Sequence, residues 1–124
     1  MPTYMTRPQH GKIVYLGTLV IANGAQKSSI MSMDVYQGFP RLTIVGPAAL
    51  TNTVALEGLR EETLDVDTDA NWVDVQSGDT GADIDVAADK AISFRTPGVP
   101  AIRVYNQTGA EGAERTFYVY GIRH

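Results

Sequence analysis

No segment of this chain keeps a helical period over the length of an ordinary helix. What recurs is a short run of β-branched and aromatic residues followed by a turn signal. Ile13 to Ala22 (IVYLGTLVIA) ends at Asn23-Gly24, a strong hairpin signal. Ser29 to Val35 alternates, with Ile30, Ser32 and Asp34 against Met31, Met33 and Val35, and predicts a strand. Arg41 to Val45 closes at Gly46-Pro47, and Thr51 to Leu56 alternates again. Trp72–Gln76, Ile84–Val86, Ala91–Arg95, Ala101–Tyr105 and Arg115–Ile122 follow, separated by turn residues. Gly58 to Ala70 is the least strand-like stretch and reads as a short helix or an irregular turn around Leu59–Leu64.

Short strands at this spacing predict an all-β chain: an antiparallel β-sandwich or jelly-roll-like barrel of about eight to nine short strands. An immunoglobulin-like order satisfies the pattern equally. A length of 124 residues suits one domain, expected over 13–124. Residues 1–12, with Pro2 and Pro8 and no apolar period, read as an extended N-terminal arm.

Alternation also predicts the core. Its expected members are Val14, Leu16, Leu19, Ile21, Leu42, Ile44, Val54, Leu56, Trp72, Val75, Ile84, Val86, Ile92, Phe94, Ile102, Val104, Phe117, Val119 and Ile122. In the last strand Phe117 and Val119 share one face, while Tyr118 and Tyr120 share the other. Tyrosine joins a large apolar ring to a polar tip and is enriched at interfaces, so Tyr118 and Tyr120 are candidate contact residues. Tyr4, Arg7 and His10 of the arm are candidates of the same kind.

Charge is distributed unevenly. Glu57 to Asp89 holds eleven acids and one base, Arg60, and carries −10, whereas the rest of the chain carries +6. If the fold gathers that segment on one side, the molecule has a negative face and a positive face, a polarity suited to layered association; the other reading is that the acids simply alternate outward along strands and loops. Scattered bases and a net charge of −4 speak against a nucleic-acid reader.

Chemistry-bearing motifs are few. With no cysteine there is neither disulfide nor thiolate chemistry. The two histidines, His10 and His124, lie at the chain ends, poor places for a general base. Asp65, Asp67, Asp69 and Asn71 have the odd-numbered spacing of a calcium loop and form a weak candidate metal site. Ala70 and Gln76 stand where such a loop needs glycine and glutamate. Glu61 with Glu62 reads as a solvated pair rather than a glycosidase dyad. No glycine-rich phosphate loop is present, no window has the apolar length of a membrane span, and residues 1–12 do not read as a secretory signal. The expectation is no enzyme, no cofactor, no nucleic acid and no membrane.

Two stretches carry a resemblance. One is Asn71-Trp72-Val73-Asp74-Val75-Gln76-Ser77-Gly78, and the other runs from Ala87-Ala88-Asp89-Lys90-Ala91-Ile92 to Pro100-Ala101-Ile102-Arg103-Val104. With the closing Arg115-Thr116-Phe117-Tyr118-Val119-Tyr120-Gly121 strand, this C-terminal half resembles small β-sandwich virion proteins of tailed bacteriophages, of the capsid decoration or cement kind. The resemblance implies a homo-oligomer, a trimer by preference, made in the host cytoplasm and bound to the major capsid protein or another virion protein on the capsid surface. Its arm would gain contacts only on assembly. The alternatives are a tail, neck or head-fibre component, or a carbohydrate- or host-surface-binding module in which Trp72, Tyr105, Tyr118 and Tyr120 stack on sugars. Trp72 reads rather as core.

Overall fold

The computed structural model describes residues 12–123. Nine strands follow in order: β1 (Lys12–Ile21), β2 (Met31–Ser32), β3 (Arg41–Val45), β4 (Val54–Leu59), β5 (Trp72–Asp74), β6 (Asp85–Val86), β7 (Ala91–Arg95), β8 (Ala101–Tyr105) and β9 (Arg115–Arg123). One helical turn, α1 (Met33–Tyr36), follows β2, and a 3-10 turn at Asp69–Asn71 precedes β5. A front sheet has the order β1-β9-β3-β7; a back sheet has the order β2-β8-β4-β5, with β6 also on β4. Every pairing is antiparallel.

The chain is therefore a β-sandwich, and its core is where the period-two alternation puts it. Leu19, Ile21, Leu42, Ile44, Phe94, Phe117 and Val119 of the front sheet join Val54, Leu56, Val86, Ile102 and Val104 of the back sheet in one buried cluster. Burying a side chain of this size stabilises by about 1.5–3 kcal/mol. One flank is also stitched between the sheets, by bridges of Ile21 with Ser28 and of Lys27 with Tyr105. Lys12 already pairs with Arg123, so β1 begins one residue before the expected boundary.

Several expectations are corrected. Only Met31–Ser32 of the Ser29–Val35 run is strand; the rest turns into α1. Ser32 Oγ accepts from the Asp34 N–H at 3.3 Å, and Gln37 N–H donates to the Met33 carbonyl at 2.7 Å. A serine able to cap a turn outcompetes a weak strand. That turn buries Tyr36, whose phenol donates to the Val99 carbonyl, and burial pushes its pKa up to about 12. β4 runs on through Gly58 and Leu59 into the stretch expected to be turn. Val14, Leu16, Ile92 and Ile122 are half-buried rather than buried. Ile122 pairs with Ile13 and Arg41 on the outer face, in step with Tyr120 and Tyr118.

Two glycines answer to geometry. Gly17, at φ +137°, absorbs the bulge between Tyr15 and Gly17 that shifts the β1–β9 register by one residue. Gly121 lies under Phe39, and a Cβ there would stand 2.5 Å from two ring carbons. Gly121→Ala should therefore destabilise by about 1–3 kcal/mol through overpacking. Gly112→Ala, whose Cβ meets nothing within 4 Å, should stay within about 0.5 kcal/mol of the parent. Denaturant unfolding of the two variants checks this.

Candidate interaction surface

A two-layer sandwich has two outer faces, and this chain treats them differently. On the back sheet the outward parity selects Ala101, Arg103 and Tyr105 of β8, Ala55, Glu57 and Leu59 of β4, and Trp72 of β5. Leu59, Trp72 and Ala101 are buried there in a second apolar cluster, with Leu64 and Val66 packed on it from the acidic connection. Trp72 Nε1 donates to the Val66 carbonyl at 2.9 Å. Trp72 is thus buried as expected, but outside the main core.

The cover is held by a buried cation. Arg103, 1% exposed, bonds Glu57 Oε1 through Nε at 2.9 Å and Nη2 at 2.8 Å. Nη2 also reaches Asp69 Oδ1 at 3.3 Å. The guanidinium carbon lies 4.4 Å from the Trp72 ring centroid and 5.1 Å from that of Tyr105. Arg103 Nη1 is buried and makes no hydrogen bond to the described residues. Lys27 Nζ clamps the loop from outside, at 3.0 Å from Asp69 Oδ1 and 3.3 Å from the Asp67 carbonyl. The Lys27 hydrogen bond first, then its charge and that of Arg103, hold the Asp69 carboxyl below its ordinary pKa.

Asp65, Asp67, Asp69 and Asn71 accordingly do not converge as a calcium cage. Asp65 accepts from the Asp67 N–H at 3.0 Å and the Thr68 hydroxyl at 3.2 Å, and Asn71 Nδ2 donates to the Asp65 carbonyl at 2.8 Å. Asp69 is turned to cations. Among the described residues no group of three or more acidic, histidine or cysteine side chains is placed to hold a metal ion. Glu61 accepts from Thr63, while Glu62 and Asp34, both exposed, line a concavity of about 280 Å³ beside α1.

A second buried polar centre ties the loops at one end of the sandwich. Glu111, 1% exposed, accepts from Thr51 N–H and Oγ1 at 3.0 Å, from Arg115 Nε at 2.9 Å and from Asn106 Nδ2. Asn106 Oδ1 in turn accepts from the N–H groups of Thr108 at 3.0 Å and Gly109 at 3.2 Å.

The front sheet's outer face is open. Its pairings set Ile13, Ile122, Arg41 and Arg95 in one row, Tyr15, Tyr120, Thr43 and Ser93 in the next, and Thr18, Tyr118, Val45 and Ala91 in a third. Ile13 is 71% exposed, Tyr15 56% and Tyr118 44%, three of the five exposed large apolar residues among those described. The rings of Tyr15 and Tyr120 pack tilted at 55°, with centroids 5.6 Å apart. Charge enters this face only at the end row, where Arg41 and Arg95 share Asp79 at 3.0 and 3.9 Å. The front-sheet strands carry five bases (Lys12, Arg41, Arg95, Arg115, Arg123) and no acid. Those of the back sheet carry Glu57, Asp74 and Asp85 against Arg103. Burial, then the charges of Asp83 and Asp74, raises the Asp85 pKa at this acidic edge.

Tyr118 and Tyr120 thus lie side by side on an exposed face, Tyr120 only half-buried. Tyr4, Arg7, His10 and His124 lie outside the described residues. Sequence reasoning missed Ile13 and Tyr15, because Ile13-Val14-Tyr15-Leu16 is apolar throughout and shows no parity until β9 fixes it. It also read Arg103 as one of several scattered bases, although its position between Ile102 and Val104 already assigned it to the outer face. Glu111 and Asn106 had no local signal at all. The chain matches no family model, no curated protein and no solved structure.

Two outcomes test these centres. Arg103→Ala leaves Glu57 buried without its cation and should cost about 3–5 kcal/mol. Arg103→Met with Glu57→Gln should recover part of that loss in urea unfolding. For Glu111, burial alone would raise the pKa, but the Thr51, Arg115 and Asn106 bonds outweigh it and lower it. Its contribution to stability is therefore complete above the ordinary glutamate value of about 4.3 and is lost as pH falls through the lowered folded value. Glu111→Gln should be less stable near neutrality and lose less on acidification, as thermal unfolding across that range would show.

Proposed function

We propose that this chain is a non-catalytic structural subunit of a tailed-phage particle, binding the outer capsid lattice as a decoration or cement protein. The observation that supports this most is the front sheet's outer face, charge-free across its middle rows and lined by exposed Tyr15 and Tyr118 with half-buried Tyr120. Aromatic residues on an uncharged patch, with charge confined to the Arg41–Arg95 end row, have the composition of a protein interface core. The acidic back of the molecule would then face away from the shell. The partner is the major capsid protein, the place is the capsid surface, and synthesis is in the host cytoplasm. The resemblance of the C-terminal half to small virion β-sandwiches points the same way.

The sugar-binding alternative loses two of its four aromatic residues, since Trp72 and Tyr105 both flank the Arg103 guanidinium. Quantitative mass spectrometry of purified particles of the encoding virus tests the proposal. The chain should be present at nearly one copy per shell subunit, and Tyr118→Ala should lower its affinity for undecorated shells by about tenfold or more. A handful of copies per particle would place it in the tail, neck or fibres, and absence from particles would overturn the reading.

A further inference from the structure

Each sheet ends in edge strands whose outward N–H and C=O groups are free to pair, a hazard that proteins usually blunt with charge or brevity. Three of the edges here are blunted. β2 has two residues. β7 lies between Lys90 and ends in Arg95, which a two-fold copy would bring close to each other. β5 ends in Asp74, on the acidic edge it shares with Asp85 of β6.

β1 is different. It is the longest strand, ten residues, and has no charge after Lys12. Its far end is closed, because Ser29 N–H donates to the Val20 carbonyl at 2.9 Å and Val20 N–H donates to Ser29 Oγ at 3.0 Å. From Lys12 to Leu19, no described backbone group outside β9 bonds it. Beside this open edge stand Ile13 and Tyr15, the two most exposed large apolar side chains among the described residues.

We infer that a second copy of this chain pairs antiparallel with the stretch Lys12–Leu16 of β1, ahead of the Gly17 bulge, joining two front sheets into one eight-stranded sheet. The charge pattern singles out this occupant. With the two-fold axis at Val14, each Lys12 falls opposite Leu16 of the other copy, so the two ammonium groups lie at opposite ends. Each Ile13 falls opposite Tyr15 of the other copy, an aromatic–β-branched pair on the outer face of the kind that stabilises sheets. The joined sheet would carry one continuous apolar face, with Tyr15–Tyr120 pairs on both sides of the axis. The contact is short, so the dimer is a weak one that grows with concentration. It stands independently of the particle reading and differs from the trimer that the virion resemblance implies.

Sedimentation velocity of the full chain across the micromolar range tests it. The parent should pass from one copy to two. Ile13→Lys, at the most exposed position, should stay at one copy with thermal unfolding little changed, and Tyr15→Lys should also stay at one copy with only the modest loss expected of its Tyr120 contact. Because the parent has no cysteine, Ile13→Cys mixed with Tyr15→Cys should form a mixed disulfide in preference to either like pair. A single copy at every concentration, a three-copy mass, or a dimer indifferent to both lysine variants would overturn the inference. So would a preference for like disulfides. If, in a single-copy species, those Lys12–Leu19 amides that do not donate to β9 were slow to exchange in deuterated solvent, residues 1–11 of the same chain would be the occupant instead.

Discussion

A guanidinium moved out of water loses several kcal/mol of hydration, and only a close anion with good hydrogen-bond geometry offsets that loss. Arg103 meets the condition on the outer face of the back sheet, with Glu57 beside it, Asp69 over it and two aromatic rings against it. The acidic connection between β4 and β5 depends on this arrangement. A run of carboxylates would otherwise stand off the surface by mutual repulsion, but one of its members is held by Arg103 and Lys27, and Val66 and Leu64 follow it down onto Leu59 and Trp72. The part of the back sheet around Leu59, Trp72, Ala101 and Arg103 is thereby covered on both faces, although antiparallel strands commonly leave one face to water.

That cover decides where apolar surface is left exposed. With the back face roofed, the free apolar area gathers on the front sheet around β1 and β9. The same division separates charge. Strands of the front sheet hold only bases and those of the back sheet mostly acids, and on the outer face of the front sheet the bases are confined to the Arg41–Arg95 end row. Part of the polarity is consumed internally: Asp79 crosses to Arg41 and Arg95, and Lys27 reaches back to Asp69. What remains is an open apolar face on the front sheet and an acidic edge at Asp74 and Asp85 on the back.

The two buried polar centres have different mechanical duties. Arg103–Glu57 fixes a lid against a sheet. Glu111 and Asn106 fix loops to one another at the sandwich end, joining the Thr51 loop, the β8–β9 connection and the start of β9 through Arg115. Both use groups that are costly to bury unpaired, so each specifies one arrangement of chain segments far apart in sequence.

The period-two alternation is a property of the extended backbone itself, and it was enough to define most of the strands, an antiparallel sandwich or barrel, and most of the core from Leu19 to Val119. It also put Tyr118 and Tyr120 on the outward side of β9 before any partner strand was known. It failed at Ser29–Val35, where a serine cap competes with weak pairing, and at Ile13–Leu16, where every position is apolar. It could not say that Asp69 would face cations rather than calcium, because Lys27 and Arg103 stand 42 and 34 residues away. Parity tells which way a side chain points from its own sheet. Whether that side meets water, a loop or another chain is settled by contacts between distant segments, and only the tertiary structure, through β1–β9 pairing and the Arg103 lid, left the front face open and closed the back.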